Sequence, residues 1–246
     1  IMKKVTTLLC VLCMTIGIAS AQSIIEFTTQ KPVDEELVMN LYSTSINDPF
    51  TIDWGDGTTT THNISPTDMP YFQRVSGKIK GETITITGNI VSLIATEQSI
   101  TRVKVKNQAK LEKLTLSDNL ITEVLFEGDV APLQLLELNN NLLANSTENN
   151  PTLGLEIFAS TLANLNLSNN NLICLNIEQL VNLKELYVKN NPDFTSLFIA
   201  MPEESRMIEK IDLSNGQLSH FYPIYMPALT SLHLSDNVLM EDFVID

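Results

Sequence analysis

The sequence predicts a mostly β protein, in which a small N-terminal β-sandwich is followed by a curved solenoid with a parallel concave sheet. Three observations predict it. A phrase of apolar residues recurs through 89–246, short β-prone runs without that phrase fill 22–88, and an apolar leader occupies 1–21.

The phrase is clearest at Leu111-Glu112-Lys113-Leu114-Thr115-Leu116-Ser117-Asp118-Asn119, followed by Ile121, Val124 and Phe126. Apolar residues stand at positions 1, 4 and 6, an Asn at 9, and apolar residues again at 11, 14 and 16. Copies begin at Ile90, Leu111, Leu133, Leu162, Leu183, Ile208 and Leu229, at intervals of 21, 22, 29, 21, 25 and 21 residues. The last copy stops part-way. Such a period is the mark of a solenoid, and the L-x-x-L-x-L-x-x-N pattern is that of a leucine-rich repeat. Positions 4 and 6 share one face of a short strand and 5 and 7 share the other, because side chains alternate. A lone repeat cannot cover its apolar face, so neighbours stack, each buried Leu or Ile contributing about 1.5–3 kcal/mol. The amides of Asn119, Asn141, Asn170, Asn191 and Asn237 then form a column that satisfies backbone groups at each turn. Gln98 and Gly216 interrupt that column, which predicts looser first and sixth turns. Polar insertions at 145–151 and 201–206 account for the two longest intervals.

The N-terminal stretch carries β-prone runs at 24–29, 37–44, 50–54, 58–62, 72–75 and 83–87, the last a strict Thr83-Ile84-Thr85-Ile86-Thr87 alternation. Turn residues separate most of them, which predicts a sandwich of short strands capping the first repeat, since an open solenoid end exposes apolar side chains. Within it, Asp53-Trp54-Gly55-Asp56-Gly57 is a tight-turn signal, and Trp54, the only Trp, is expected in the core. Asp53 and Asp56 could instead hold calcium, but calcium takes six or more oxygens and no fuller loop is present. The structural turn is favoured.

Met2-Lys3-Lys4, an apolar run to Ile18 and Ala19-Ser20-Ala21 read as a secretory signal peptide cleaved after Ala21. Its loss takes Cys10 and Cys13, leaving Cys174 as a buried structural thiol and no internal disulfide. Its loss also takes two of the 15 basic residues and none of the 29 acidic ones, so the strongly acidic balance deepens. Nucleic acid and anionic membrane are poor partners for that charge, and no other segment is long and apolar enough to insert in a membrane. The reading is a secreted or cell-surface protein, monomeric. The part-way end, and Ile1 preceding Met2, also fit a fragment of a longer surface protein.

The Ile52-Asp53-Trp54-Gly55-Asp56-Gly57 stretch resembles the W-x-F-G-D-G signature of PKD-like sandwich modules, with its residues in a different order. The run from Thr83 to Leu93 leading into Gln98-Ser99-Ile100-Thr101-Arg102-Val103 is similar to the junction in secreted bacterial leucine-rich repeat proteins with a WGDG-bearing β domain. The resemblance spans nearly the whole chain after the leader. It implies a surface or secreted binding protein of internalin-like architecture, recognising its ligand with the concave sheet.

The outward position 5 of successive repeats reads Ile94, Thr115, Glu137, Asn166, Tyr187, Asp212 and His233. Thr115, Glu137, Asn166, Tyr187, Asp212 and His233 are the candidate ligand-binding residues. Tyr187 leads them, because an exposed Tyr gives large contact area at small entropic cost. The plainer alternative is that exposed strand positions must be polar and that neighbouring charges such as Glu112, Lys113, Lys184, Glu185, Lys189, Glu209 and Lys210 pair with one another. None of His62, His220 and His233 has metal-ligand spacing, and no phosphate loop or nucleophile elbow occurs, so no catalytic residue, metal or cofactor is assigned. Asp212 and His233 on adjacent strands are the one mildly suggestive pair. The expected function is recognition or adhesion, non-catalytic, with a protein or glycoprotein ligand. The alternatives are a structural spacer in a larger surface protein, or carbohydrate binding by the N-terminal domain.

Overall fold

The computed structural model describes residues 22–43, 49–63, 72–129, 132–145, 152–199, 207–221 and 226–243. The expected leader and most of the two expected insertions fall outside them. Among the described residues of the N-terminal stretch six strands form: β1 (Ile24–Thr29), β2 (Glu36–Tyr42), β3 (Phe50–Asp53), β4 (Thr59–His62), β5 (Phe72–Lys78) and β6 (Thr83–Thr87). Alternation becomes burial: Ile84 and Ile86 are fully buried while Thr83 is exposed.

Each repeat contributes one short strand to a common sheet: β7 (Ser92–Ile94), β9 (Lys113–Thr115), β11 (Leu135–Glu137), β12 (Asn164–Asn166), β14 (Glu185–Tyr187), β16 (Lys210–Asp212) and β18 (Ser231–His233). These run parallel and bound a solenoid of about 6 turns. The returning side carries parallel pairs: β8 (Ile100–Lys106) with β10 (Glu123–Glu127), β13 (Cys174–Asn176) with β15 (Ser196–Phe198), and β17 (His220–Phe221) with β19 (Asp242–Phe243). Cys174 is fully buried there, and burial pushes its thiol pKa up, away from the reactive thiolate. No helix among the described residues is long and apolar enough to cross a membrane.

The N-terminal strands are divided between the two larger sheets. One sheet has the order β18-β16-β14-β12-β11-β9-β7-β2-β5 and the other β10-β8-β1-β6-β3-β4. At both seams the polarity reverses, β2 lying antiparallel to β7 and β1 antiparallel to β8. The cap therefore hydrogen-bonds onto the first turn, and a single apolar core runs from Phe27 and Leu41 through Leu93 and Leu114 to Leu213.

Within the cap, Asp53 Oδ1 accepts the Gly55 and Gly57 amides at 2.8 and 3.1 Å. Asp56 Oδ1 accepts the Thr58 amide and hydroxyl, and Oδ2 sits 2.8 Å from Lys80 Nζ. The Lys80 ammonium and the Thr58 donors hold the Asp56 carboxyl well below the usual carboxylate range. Both carboxylates weighed as calcium ligands are thus engaged, Asp53 by turn donors and Asp56 by turn donors and a lysine. Gly55 is required twice over: its φ is +112°, and a Cβ there would lie 2.5 Å from the Gly81 amide nitrogen.

The amide column forms. Asn170 Oδ1 accepts the Leu143 amide at 2.9 Å, and its Nδ2 donates to the carbonyls of Leu138 and Leu167 at 3.0 Å each. Asn119, Asn141, Asn191 and Asn237 repeat this pattern, each joining its own turn to the one before. Gln98 does not loosen its turn. Its longer side chain reaches across the seam, Oε1 accepting the Val38 amide at 2.9 Å and Nε2 donating to the Thr96 carbonyl at 2.7 Å. Where Gly216 supplies no amide, the preceding turn closes on itself, the Phe194 amide donating to the Asn191 carbonyl at 3.0 Å.

Candidate functional site

The concave sheet presents a register row that crosses all nine strands. Strand pairing places Arg74, Asn40, Ile94, Thr115, Glu137, Asn166, Tyr187, Asp212 and His233 side by side in that order. Thr115, Glu137, Asn166, Tyr187, Asp212 and His233 are thereby brought together in one line. Leu114, Leu136, Leu165, Leu186 and Ile211 beside them point inward and are buried. The row's first two members, Arg74 and Asn40, come from the cap. Position counting within the repeats could not find them; pairing across the seam does.

Most candidates are held by neighbours. Thr115 donates its hydroxyl to Glu137 Oε2 at 2.9 Å, and the Ser168 amide donates to Asn166 Oδ1 at 3.1 Å. Tyr187 OH donates to Glu185 Oε2 at 3.0 Å, while Lys210 Nζ lies 2.9 Å from Glu185 Oε1. The Lys210 ammonium keeps the Glu185 carboxyl below its usual 4.5 in spite of partial burial, and the same carboxylate holds Lys210 above 10.5. Burial first, and then the Glu185 charge, raise the Tyr187 phenol above 10.0. Tyr187 is therefore half-buried and fixed in orientation.

Asp212 and His233 are register partners, but the Asp212 carboxylate is engaged elsewhere: Oδ1 accepts the Ser214 hydroxyl at 2.6 Å, and Oδ2 lies 3.8 Å from Lys189 Nζ. The pairing of opposite charges expected from sequence thus occurs across strands at Glu185–Lys210, and the candidate Asp212 is also paired, with Lys189.

A second column lies at position 8, just before the amide column. Glu97, Asp118, Asn140, Asn169, Asn190, Asn215 and Asp236 all have φ between 56 and 59°. Asn and Asp tolerate this left-handed conformation, and their recurrence at one position was its visible signal. Their exposed side chains also bond from turn to turn, Asn140 to Asp118, Asn190 to Asn169 and Asn215 to Asn190.

At the seam the concave face carries a recess of about 260 Å³ lined by Val38, Met39, Asn40, Arg74, Ile94, Thr96 and Gln98. Its cause is topological. β2 pairs with β7 only from Asn40↔Ile94 to Tyr42↔Ser92, after which β7 turns away and Gln98 takes over the Val38 amide. Comparison with models of known protein families, with curated proteins and with solved structures returns no match to the chain.

Proposed function

We propose that the chain is an exported, non-catalytic recognition or adhesion protein, a leucine-rich repeat protein of internalin-like architecture with a PKD-like N-terminal β domain. It binds a protein or glycoprotein on its concave sheet. The observation that carries this reading is the row from Arg74 to His233, in which guanidinium, amide, hydroxyl, carboxylate, phenol and imidazole groups are displayed in one register. Backbone pairing and the buried Asn column hold that display rigid, so little entropy is lost when a ligand engages it.

The test is binding of the full chain to an array of extracellular proteins and glycans, beside a folded Tyr187→Ala, Glu137→Lys, Asp212→Lys variant. A ligand held by the parent and weakened by about tenfold or more in the variant is expected. Unchanged binding would move recognition to the cap or loops. A spacer role draws on the internal pairs Glu185–Lys210 and Lys189–Asp212, which neutralise part of the charged face without any ligand. Absence of any ligand on the array would favour it.

A further inference from the structure

We propose that the recess at the seam takes the carboxylate of a single acidic sugar residue. This rests on the concave-face reading above and names the chemistry recognised at one end of that face. Three polar side chains border the recess: the Arg74 guanidinium, the Asn40 amide and the Thr96 hydroxyl. Among the described residues none of these three groups has a hydrogen-bond or ion-pair partner. On the same face Glu185 and Asp212 are neutralised by Lys210 and Lys189. In a chain of net charge −14, a cation without a counter-charge beside a recess fits an anion that the ligand brings.

The chemistry narrows the anion. A guanidinium fork matches a planar carboxylate with two parallel hydrogen bonds. A phosphate monoester would bring a second negative charge for which the recess lining supplies no second cation, in a chain that is already acidic. Size narrows the ligand. At about 260 Å³ the recess is smaller than the roughly 300–1,000 Å³ of drug-sized sites, so it holds one residue of a longer molecule. The rest of the lining suits a sugar: Val38 and Ile94 offer apolar surface to ring C–H groups, while Asn40 and Thr96 can exchange hydrogen bonds with ring hydroxyls. An Asp or Glu side chain would use Arg74 and leave the amide and hydroxyl unmatched.

The probes are a uronic-acid-containing disaccharide, its carboxyl-reduced counterpart, a sulfated disaccharide and a short acidic peptide, each titrated calorimetrically into the full chain and into folded Arg74→Gln and Arg74→Lys variants. The uronate disaccharide should bind, with at least about tenfold loss on carboxyl reduction and again in Arg74→Gln, and partial recovery in Arg74→Lys. Equal binding of the reduced sugar, indifference to Arg74→Gln, equal or tighter binding of the peptide or the sulfated sugar, or no binding of the uronate would each overturn the proposal. An array ligand lost in the Tyr187, Glu137 and Asp212 variant but untouched by Arg74→Gln would overturn the recess alone. Failure of both variants to affect any array ligand would overturn the concave-face reading with it.

Discussion

Tyr187, Glu185 and Lys210 act as one charged unit, and pH separates their contributions. Glu185 has a lowered pKa, so the stability its ionised form adds is present above about pH 4.5 and disappears as pH falls below that value. Lys210 and Tyr187 have raised pKa values, so their contributions are present below about pH 10 and disappear as pH rises through the folded values. Lys210→Met should return the Glu185 carboxyl toward 4.5 by more than Tyr187→Phe does, because the lysine is the larger cause. Carbon-13 carboxyl titration by NMR reads both shifts directly, and a larger effect of Tyr187→Phe would reverse the ranking. The sequence placed Tyr187 correctly on the outward face, but not its partner. Glu185 precedes it by two on the same strand, and its simultaneous pairing with a lysine 25 residues onward depends on how repeats stack.

At the scale of one turn, the buried amide is the element that closes the loop. Asn170→Ala would orphan the Leu143 amide, while the Leu138 and Leu167 carbonyls keep the Asn141 and Asn191 amides, costing about 1–3 kcal/mol. Ser168 makes the contrast, since its buried Oγ has no partner among the described residues. Ser168→Ala should therefore be neutral or slightly stabilising, within about 0.5 kcal/mol. Urea unfolding of the two variants checks the pair, and similar losses in both would mean that the column is not what holds the turn. The column was legible in the sequence because an Asn at a fixed position has few other reasons to recur. Gln98 was not. As a degenerate Asn it read as a gap, and only the neighbouring antiparallel strand shows what its extra methylene reaches.

For the whole molecule, the continuity of both sheets decides how it unfolds. Trp54 lies in the cap, 5% exposed, whereas most of the strands that far-ultraviolet dichroism reports belong to the repeats. Because one core and two shared sheets join them, tryptophan fluorescence and dichroism should give superimposable thermal transitions. Loss of the Trp54 signal well before the sheet signal would divide the chain into separately folding parts. The fold class and the strand positions were legible because periods of two and of about twenty residues are written locally. The seam was not legible, because antiparallel pairing between Leu41 and Leu93, or Phe27 and Val103, leaves no period behind. The candidate row was legible in seven of its nine members for the same reason: its repeat members follow from counting, and Arg74 and Asn40 do not.

The intervals between repeats vary from 21 to 29 residues, yet β9, β11 and β12 pair in unbroken register, Leu114 beside Leu136 beside Leu165. Within the longest interval the described residues form a 3₁₀ turn, Leu155–Phe158, whose Phe158 ring meets Phe126 edge-on at 4.8 Å. Insertion length and display geometry are thus independent variables in this architecture. A foreign peptide grafted into that interval would inherit a fixed pedestal without shifting the register of Glu137 beside Asn166, which makes the chain a natural scaffold for presenting an epitope.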